Sequence, residues 1–253
     1  PMGDAPRFDH PDQFDPGRVR LADLDGSGPA DLIYLGKDEL YFWLNLGGNR
    51  WHHPHQTISP FPDVDDLSNV SVIDLLGTGT ACVVWSSPLP TPVNRSIRYV
   101  DLMAGTKPYL LASYENGMGR EVRLGYTPST AFYLEDKRNG EPWITRLHFP
   151  VHCLSSVETI DHITNARFVS TYRYHHGYYD HAEREFRGFG RVDQTDTEDY
   201  DHFVNGDSAN VVDRVLHQSP VLTKTWFHTG FYMDKDHLLA QYRHEYFTAS
   251  ALA

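Results

Sequence analysis

The stretch LADLDGSGPADLIYL, residues 21–35, sets Asp23, Asp25, Ser27 and Asp31 at positions 1, 3, 5 and 9 of a short loop. Oxygen-bearing side chains at that spacing can fold around one calcium ion, which takes about six to eight hard oxygens. Pro29 at position 7 could add a backbone carbonyl, and Gly28 at position 6 supplies a sharp turn. Position 12 is Tyr34 where an EF-hand has a bidentate Glu, so the loop is not an EF-hand. The competing reading needs no ion. Aspartates accept hydrogen bonds from loop amides, as in an Asx-turn, with the glycines at positive φ.

Other candidate chemistry is thinner. WHHPHQ offers His52, His53 and His55, and YHHGYYDH offers His175, His176 and His181. Zinc needs three or four convergent ligands, and neighbouring residues of a strand point to opposite faces, so solvated or aromatic-stacked histidines are expected. Glu183 and Glu185 are similar to the Glu-x-Glu of ADP-ribosyltransferases, and Phe168–Thr171 to their Ser-Thr-Ser strand. The interval is too short for the intervening sheet, Tyr172 replaces the last serine, and a solvated turn is the expectation. No GxSxG, HExxH or phosphate loop occurs, so the chain is not expected to be an enzyme. Cys82 and Cys153 form no CxxC pair and are expected to be small buried hydrophobes.

These residues must be carried by β-structure. The 253 residues are 40% hydrophobic, 22% charged and 13% aromatic, a globular composition rich in strand formers. A net charge of −12 without a basic cluster argues against nucleic acid. Fifteen His would gain charge in mild acid, so a pH-dependent assembly or release step is an expectation. No run approaches the roughly 18 apolar residues of a membrane span. The polar start lacks a charged-then-apolar signal layout, and the chain reads as a piece of something larger.

Residues 19–34 and 70–85 align without a gap at an offset of 51. Asp23/Asp74, Gly26/Gly77 and Gly28/Gly79 are identical, whereas Asp25 and Asp31 become Leu76 and Cys82. The repeated content is therefore strand, Gly turn, strand, and the second copy cannot hold the ion. Glu39–Trp51 reads as a further strand running into a Gly-Gly turn, making a unit of propeller-blade size. The Pro-rich Ser86–Asn94 places a boundary near residue 97. Beyond it, Asn116-Gly117 predicts a hairpin, and PSTAFYLEDKRNG a helix capped by Ser129 or Thr130 and ended by Gly140. CLSSVETIDHI, ARFVSTYRYHH, RVDQTDTED and PVLTKTWFHTGFY read as strands, and Phe203–Asn210 as a polar loop. DKDHLLAQYRHEYF reads as a helix capped by Asp234 or Asp236, with Leu238, Tyr242 and Tyr246 as its packed stripe.

Three stretches together carry a resemblance. VRLADLDGSGPADLIYLG with VSVIDLLGTGTACVVWSSPLP comes first. RYVDLMAGTKPYLL through YTPSTAFYLEDKRNGEPWITRLHFPVH follows. YRYHHGYYDHAEREFRGFGRVDQTDTE with PVLTKTWFHTGFY is the third. In this order they resemble the B component (TcaC/TcdB-like, middle region) of bacterial insecticidal Tc toxin complexes. The resemblance implies a mainly β fold: the final blades of an FG-GAP-like β-propeller, then Rhs-like antiparallel β-sheet shell segments with two short helices. It implies a polar segment 1–18, two blade-like repeats 19–97, an Rhs-like region 98–200, and its continuation as loop, strand and helix in 201–253. The implied role is non-enzymatic. The propeller docks on the pore-forming A component, and the shell, built with the C component, encloses a toxic effector. The complex would be secreted, without a visible signal peptide on this chain. The alternatives are a calcium-binding FG-GAP adhesion module and, after it, an ADP-ribosyltransferase. No cofactor is expected except calcium at Asp23, Asp25, Ser27 and Asp31.

Overall fold

The computed structural model describes residues 3–8, 13–89, 96–164, 166–196 and 219–246. The chain divides into two compact units, Pro1–Leu110 and Leu111–Ala253. The polar loop expected at Phe203–Asn210 lies outside the described residues.

Among its described residues unit 1 contains two small antiparallel sheets and a separate two-stranded hairpin. Strands β1 (Val19–Ala22), β2 (Asp31–Leu35), β3 (Leu40–Trp43) and β6 (Gln56–Ile58) make the first, in that order. Strands β7 (Asn69–Ile73), β8 (Cys82–Ser86) and β9 (Ile97–Asp101) make the second. The repeat is reproduced in hydrogen-bond register. Val19 faces Tyr34 and Ala22 faces Asp31, while Val70 faces Trp85 and Ile73 faces Cys82. One core joins the two sheets, with Leu24, Ile33, Leu35, Leu40 and Phe42 from the first half and Val70, Val83 and Trp85 from the second. Burial of such side chains contributes about 1.5–3 kcal/mol each, which makes this core the main stabiliser of the unit.

Two sequence expectations change here. The strand expected through Leu40, Phe42, Leu44 and Leu46 is broken: β3 stops at Trp43, and β4 (Asn45–Leu46) and β5 (Arg50–Trp51) form a separate hairpin across the expected Gly-Gly turn. Asn45 causes the break, because its amide donates to Asp31 and its side-chain amide to the Ala30 carbonyl. The division between units falls after Leu110, beyond the boundary placed near 97, because β9 pairs with β8 along its whole length.

Unit 2 is a six-stranded antiparallel meander with longer strands. In order these are β10 (Ser113–Glu115), β11 (Arg120–Pro128), β12 (His152–Asp161), β13 (Ala166–Asp180), β14 (Glu185–Asp196) and β15 (Val221–Trp226). Asn116 closes the first hairpin as expected, its side-chain oxygen accepting from the Met118 and Arg120 amides. The hairpin β13–β14 runs without a loop through Gly177 and Gly188, where the sequence had separated two strands. Helix α1 (Ser129–Arg138) follows β11 directly, and α2 (Lys235–Glu245) follows β15.

Helix α1 is not capped as expected, and α2 has the expected N-cap residue without a capping bond. Pro128 occupies the N-cap of α1, and the Ser129 hydroxyl instead accepts from the Val151 amide, tying the helix start to the entry of β12. Asp234 is the N-cap of α2 but makes no capping bond, its carboxylate pairing with His237. Leu238 and Tyr242 are the buried stripe of α2, while Tyr246 is partly exposed with its ring edge-on to Trp226.

Candidate functional site

The first Gly turn brings three of the four sequence-selected residues together. Oxygens of Asp23, Asp25 and Asp31 lie within 4.8 Å of one another. Ser27 joins through its side chain, which hydrogen-bonds the Asp25 carboxylate. Each aspartate also has a structural task. The Gly28 amide donates to Asp23 Oδ2 at 3.1 Å, and the Gly79 amide to Asp74 Oδ2 at 2.8 Å in the second copy. Gly28 and Gly79 adopt φ of 101° and 76°, a region that disfavours other residues. The shared Asp and Gly therefore build the turn in both copies.

Asp25 and Asp31 belong to the first copy alone, and their bonds explain why. Asp25 accepts from the Ser27 amide at 2.9 Å and the Tyr109 hydroxyl at 2.9 Å. Asp31, fully buried, accepts from the Leu24 amide at 2.7 Å and the Asn45 amide at 2.8 Å. Burial and the neighbouring charges of Asp25 and Asp23 raise the Asp31 carboxyl above its ordinary value despite those two bonds. Burial also works against the Asp25 anion, but the bonds from Ser27 and Tyr109 outweigh it and hold its carboxyl low. Asp23 Oδ1 is buried without a partner, and Lys107 Nζ donates to the Gly26 carbonyl at 3.4 Å. The donor set fits a small hard cation in charge and in this one orphaned oxygen. It supplies fewer side-chain oxygens than the about six to eight that calcium takes.

A second constellation, in unit 2, escaped the sequence reading. Asp136 of α1 accepts from His175 Nδ1 at 2.6 Å and from the Trp143 indole at 2.6 Å. Arg191 of β14 binds Asp193 through two nitrogens, at 2.9 and 3.1 Å, and Glu245 of α2 at 2.9 Å. Glu245 also accepts from His176 Nε2 at 2.9 Å and from the Trp226 indole at 3.0 Å. Asp136, His175, His176, Arg191 and Asp193 are all buried. Burial alone would raise the carboxyls of Asp193 and Glu245. The imidazole and guanidinium bonds reverse that and hold both at about 2. A cleft of about 700 Å³ opens beside the cluster, lined by Glu141, Arg191, Lys224, Gln241, His244 and Glu245.

Strand alternation had been expected to send His175 and His176 to opposite faces. His176 instead sits at φ 57°, and its ring joins the same network as His175. Opposite it, Gly190 leaves room for Tyr242: a Cβ there would lie 1.9 Å from the Tyr242 hydroxyl. A lone Arg-x-Asp on a strand and a Glu about fifty residues later give no pattern to search for. The one local signal was the His-His pair.

The remaining candidates do not converge. His55 packs against Tyr41 and Trp43, and His181 against His148 and Tyr179, as edge-on and tilted rings and not as stacks. Ser170 pairs with Asp196 at one end of the β13–β14 hairpin and Glu185 with Asp180 at the other. At about 3.3 Å per residue they are roughly 30 Å apart, too far to share a substrate. Cys82 and Cys153 are free and buried, and burial pushes the Cys153 thiol up to about 12.

A family model for the insecticide toxin TcdB middle/N-terminal region matches residues 56–230. Among solved structures, a TcdB2–TccC3 complex is 35% identical with a TM-score of 0.77, the match covering 96% of this chain and 11% of that one. TcdB2–TccC3 without its hypervariable C-terminal region is 35% identical at a TM-score of 0.76, covering 94% and 10%. The Tc holotoxin pore of Photorhabdus luminescens with a mutated TccC3 gives the same identity, TM-score and coverage. The chain thus spans about a tenth of the chains it matches. No curated protein matches. With a family model over most of its length and the same fold in chains about one-third identical, this chain belongs to the TcdB middle/N-terminal region family of insecticide toxins.

Proposed function

We propose that unit 1 forms part of an FG-GAP-like propeller that docks on a pore-forming A component. Unit 2 is the start of the Rhs-like shell that, with a C component, encloses a toxic effector in a secreted complex. The role is structural and non-enzymatic. The observation that carries this reading is the repeated turn, reproduced in register and in its Asp-to-Gly-amide bond, with the two sheets packed face to face. The other face of the second sheet supports it: Cys82 and Val84 of the central strand are buried there, while apolar side chains on the flanking strands are exposed. Ile73, Ile97 and Tyr99 stand there 46%, 60% and 51% exposed, on the side opposite Val70, Val83 and Trp85. A further blade would cover that face.

The test is assembly of the full-length protein with its A-type and C-type partners. Wild type is expected to co-purify with both and to shield the effector from protease. The double variant Ile97→Asp/Tyr99→Asp is expected to lose the A partner and keep the C partner. A folded full-length protein that binds neither partner would refute the reading.

The convergence of Asp23, Asp25 and Asp31 around an unpartnered Asp23 Oδ1 favours a second reading, calcium at the first turn of an interaction module. Calcium should then raise the melting temperature of the wild type and leave that of Asp25→Ala unchanged. Equal melting of the wild type with calcium and with a chelator removes it.

A further inference from the structure

The buried cluster of unit 2 is unbalanced in charge. Three carboxylates, Asp136, Asp193 and Glu245, face one guanidinium, Arg191, inside the fold. Lys224 adds a second cation at the rim, 3.9 Å from Asp193. One further positive charge restores neutrality, and buried ions persist only when they are paired. Two imidazoles could supply it, and their surroundings differ.

His176 meets one carboxylate, Glu245, through Nε2, and its Nδ1 is buried without a partner. A second proton on that ring would have nothing to bond. His175 has a carboxylate for each nitrogen: Asp136 at 2.6 Å from Nδ1 and Asp193 at 3.5 Å from Nε2. When neutral, its Nε2 accepts from Arg191 at 3.1 Å. When charged, the same nitrogen turns its proton to Asp193. Around this core, Glu135 of α1 pairs with Arg173 of β13, and Glu141, Lys224 and His244 line the adjoining cleft.

We propose that His175 is a proton-operated lock, in which one proton on its ring ties α1 to the sheet of unit 2 through Asp136 and Asp193 and its loss loosens that helix. The electrostatics agree in sign. Burial lowers the tendency of His175 to charge, but the bonds to Asp136 and Asp193 outweigh it and hold the imidazole above its ordinary value of 6.5. Stabilisation by a raised imidazole is complete below the unfolded value and fades as pH rises through the folded one. Asp193 and Glu245 lose their contribution only as pH falls from their unfolded values of 3.8 and 4.5 towards about 2. Unit 2 is therefore tightest in mild acid. His175 points to a unit 2 tightened by acid, the reverse of acid release, and this holds whether or not the shell reading does.

The experiment uses the full isotope-labelled chain between about pH 5 and pH 9. His175 is expected to keep protons on both ring nitrogens at pH values above 6.5. Amide exchange in residues 129–138, corrected for the intrinsic chemical rate, should then accelerate severalfold as that proton leaves, while residues 235–245, anchored through Glu245, serve as the internal control. His175→Asn should abolish the pH step. A His175 ring that loses its second proton at or below 6.5, or α1 protection indifferent to its titration, overturns the proposal. Should His175→Asn fail to fold, the ring titration of the wild type decides alone.

Discussion

Single side chains show where this molecule has no slack. Gly190 and Tyr242 share one space, so Gly190→Ala forces the tyrosine and α2 away from the sheet. Overpacking of this kind costs about 1–3 kcal/mol. The Tyr242 hydroxyl is buried and unpartnered, so Tyr242→Phe should be neutral or stabilising and should partly rescue Gly190→Ala. Melting of the two single variants and the double variant checks this. Simple additivity of the two effects would show that the clash is absent. At the first turn, Asp31→Ala strands the buried Leu24 amide, worth about 1–3 kcal/mol when left unpaired, and the half-buried Asn45 amide, worth less. A urea midpoint unchanged from wild type would contradict that role.

At the scale of elements, α2 is held to the meander mainly by its last residue. Three donors from β13, β14 and β15 meet on Glu245. Removing one partner of a buried pair costs about 3–5 kcal/mol, so Glu245→Ala should destabilise unit 2 by that order at neutral pH. The deficit has a defined pH course. The Glu245 carboxyl is held at about 2 against 4.5 when unfolded, so its contribution is complete above 4.5 and lost as pH falls towards 2. Urea unfolding of wild type and variant should differ at pH 7 and converge near pH 2. A constant difference would assign Glu245 a packing role instead.

At the scale of the whole molecule, one face of the second sheet of unit 1 exposes apolar side chains on its two outer strands. Ile73, Ile97 and Tyr99 share one sheet face, and contiguous apolar patches mark contact sites. Ile97→Lys/Tyr99→Lys is expected to raise the solubility of the 253-residue chain and suppress concentration-dependent association without lowering its melting temperature. Light scattering across a concentration series checks this. Unchanged association would mean that another surface carries it.

The sequence by itself determined the repeated strand–turn–strand, because its Asp and Gly act within a few residues of one another: the Asp23–Gly28 bond closes a local loop. It determined most strands and both helices for the same reason, since periodicity and turn residues are local. It also showed that Asp25 and Asp31 are peculiar to the first copy. Beyond the local Ser27 and Leu24 amides, only the tertiary structure gave them the further partners Tyr109 and Asn45. The ion cluster of unit 2 was wholly a tertiary outcome. It joins Asp136 to Glu245 through three residues on two strands, and no spacing rule links positions that meet only when a meander and two helices have packed. His176 illustrates the limit: strand alternation predicts opposite faces, and a single positive φ, stabilised by Glu245 and admitted by Gly190, brings its ring into the network of His175.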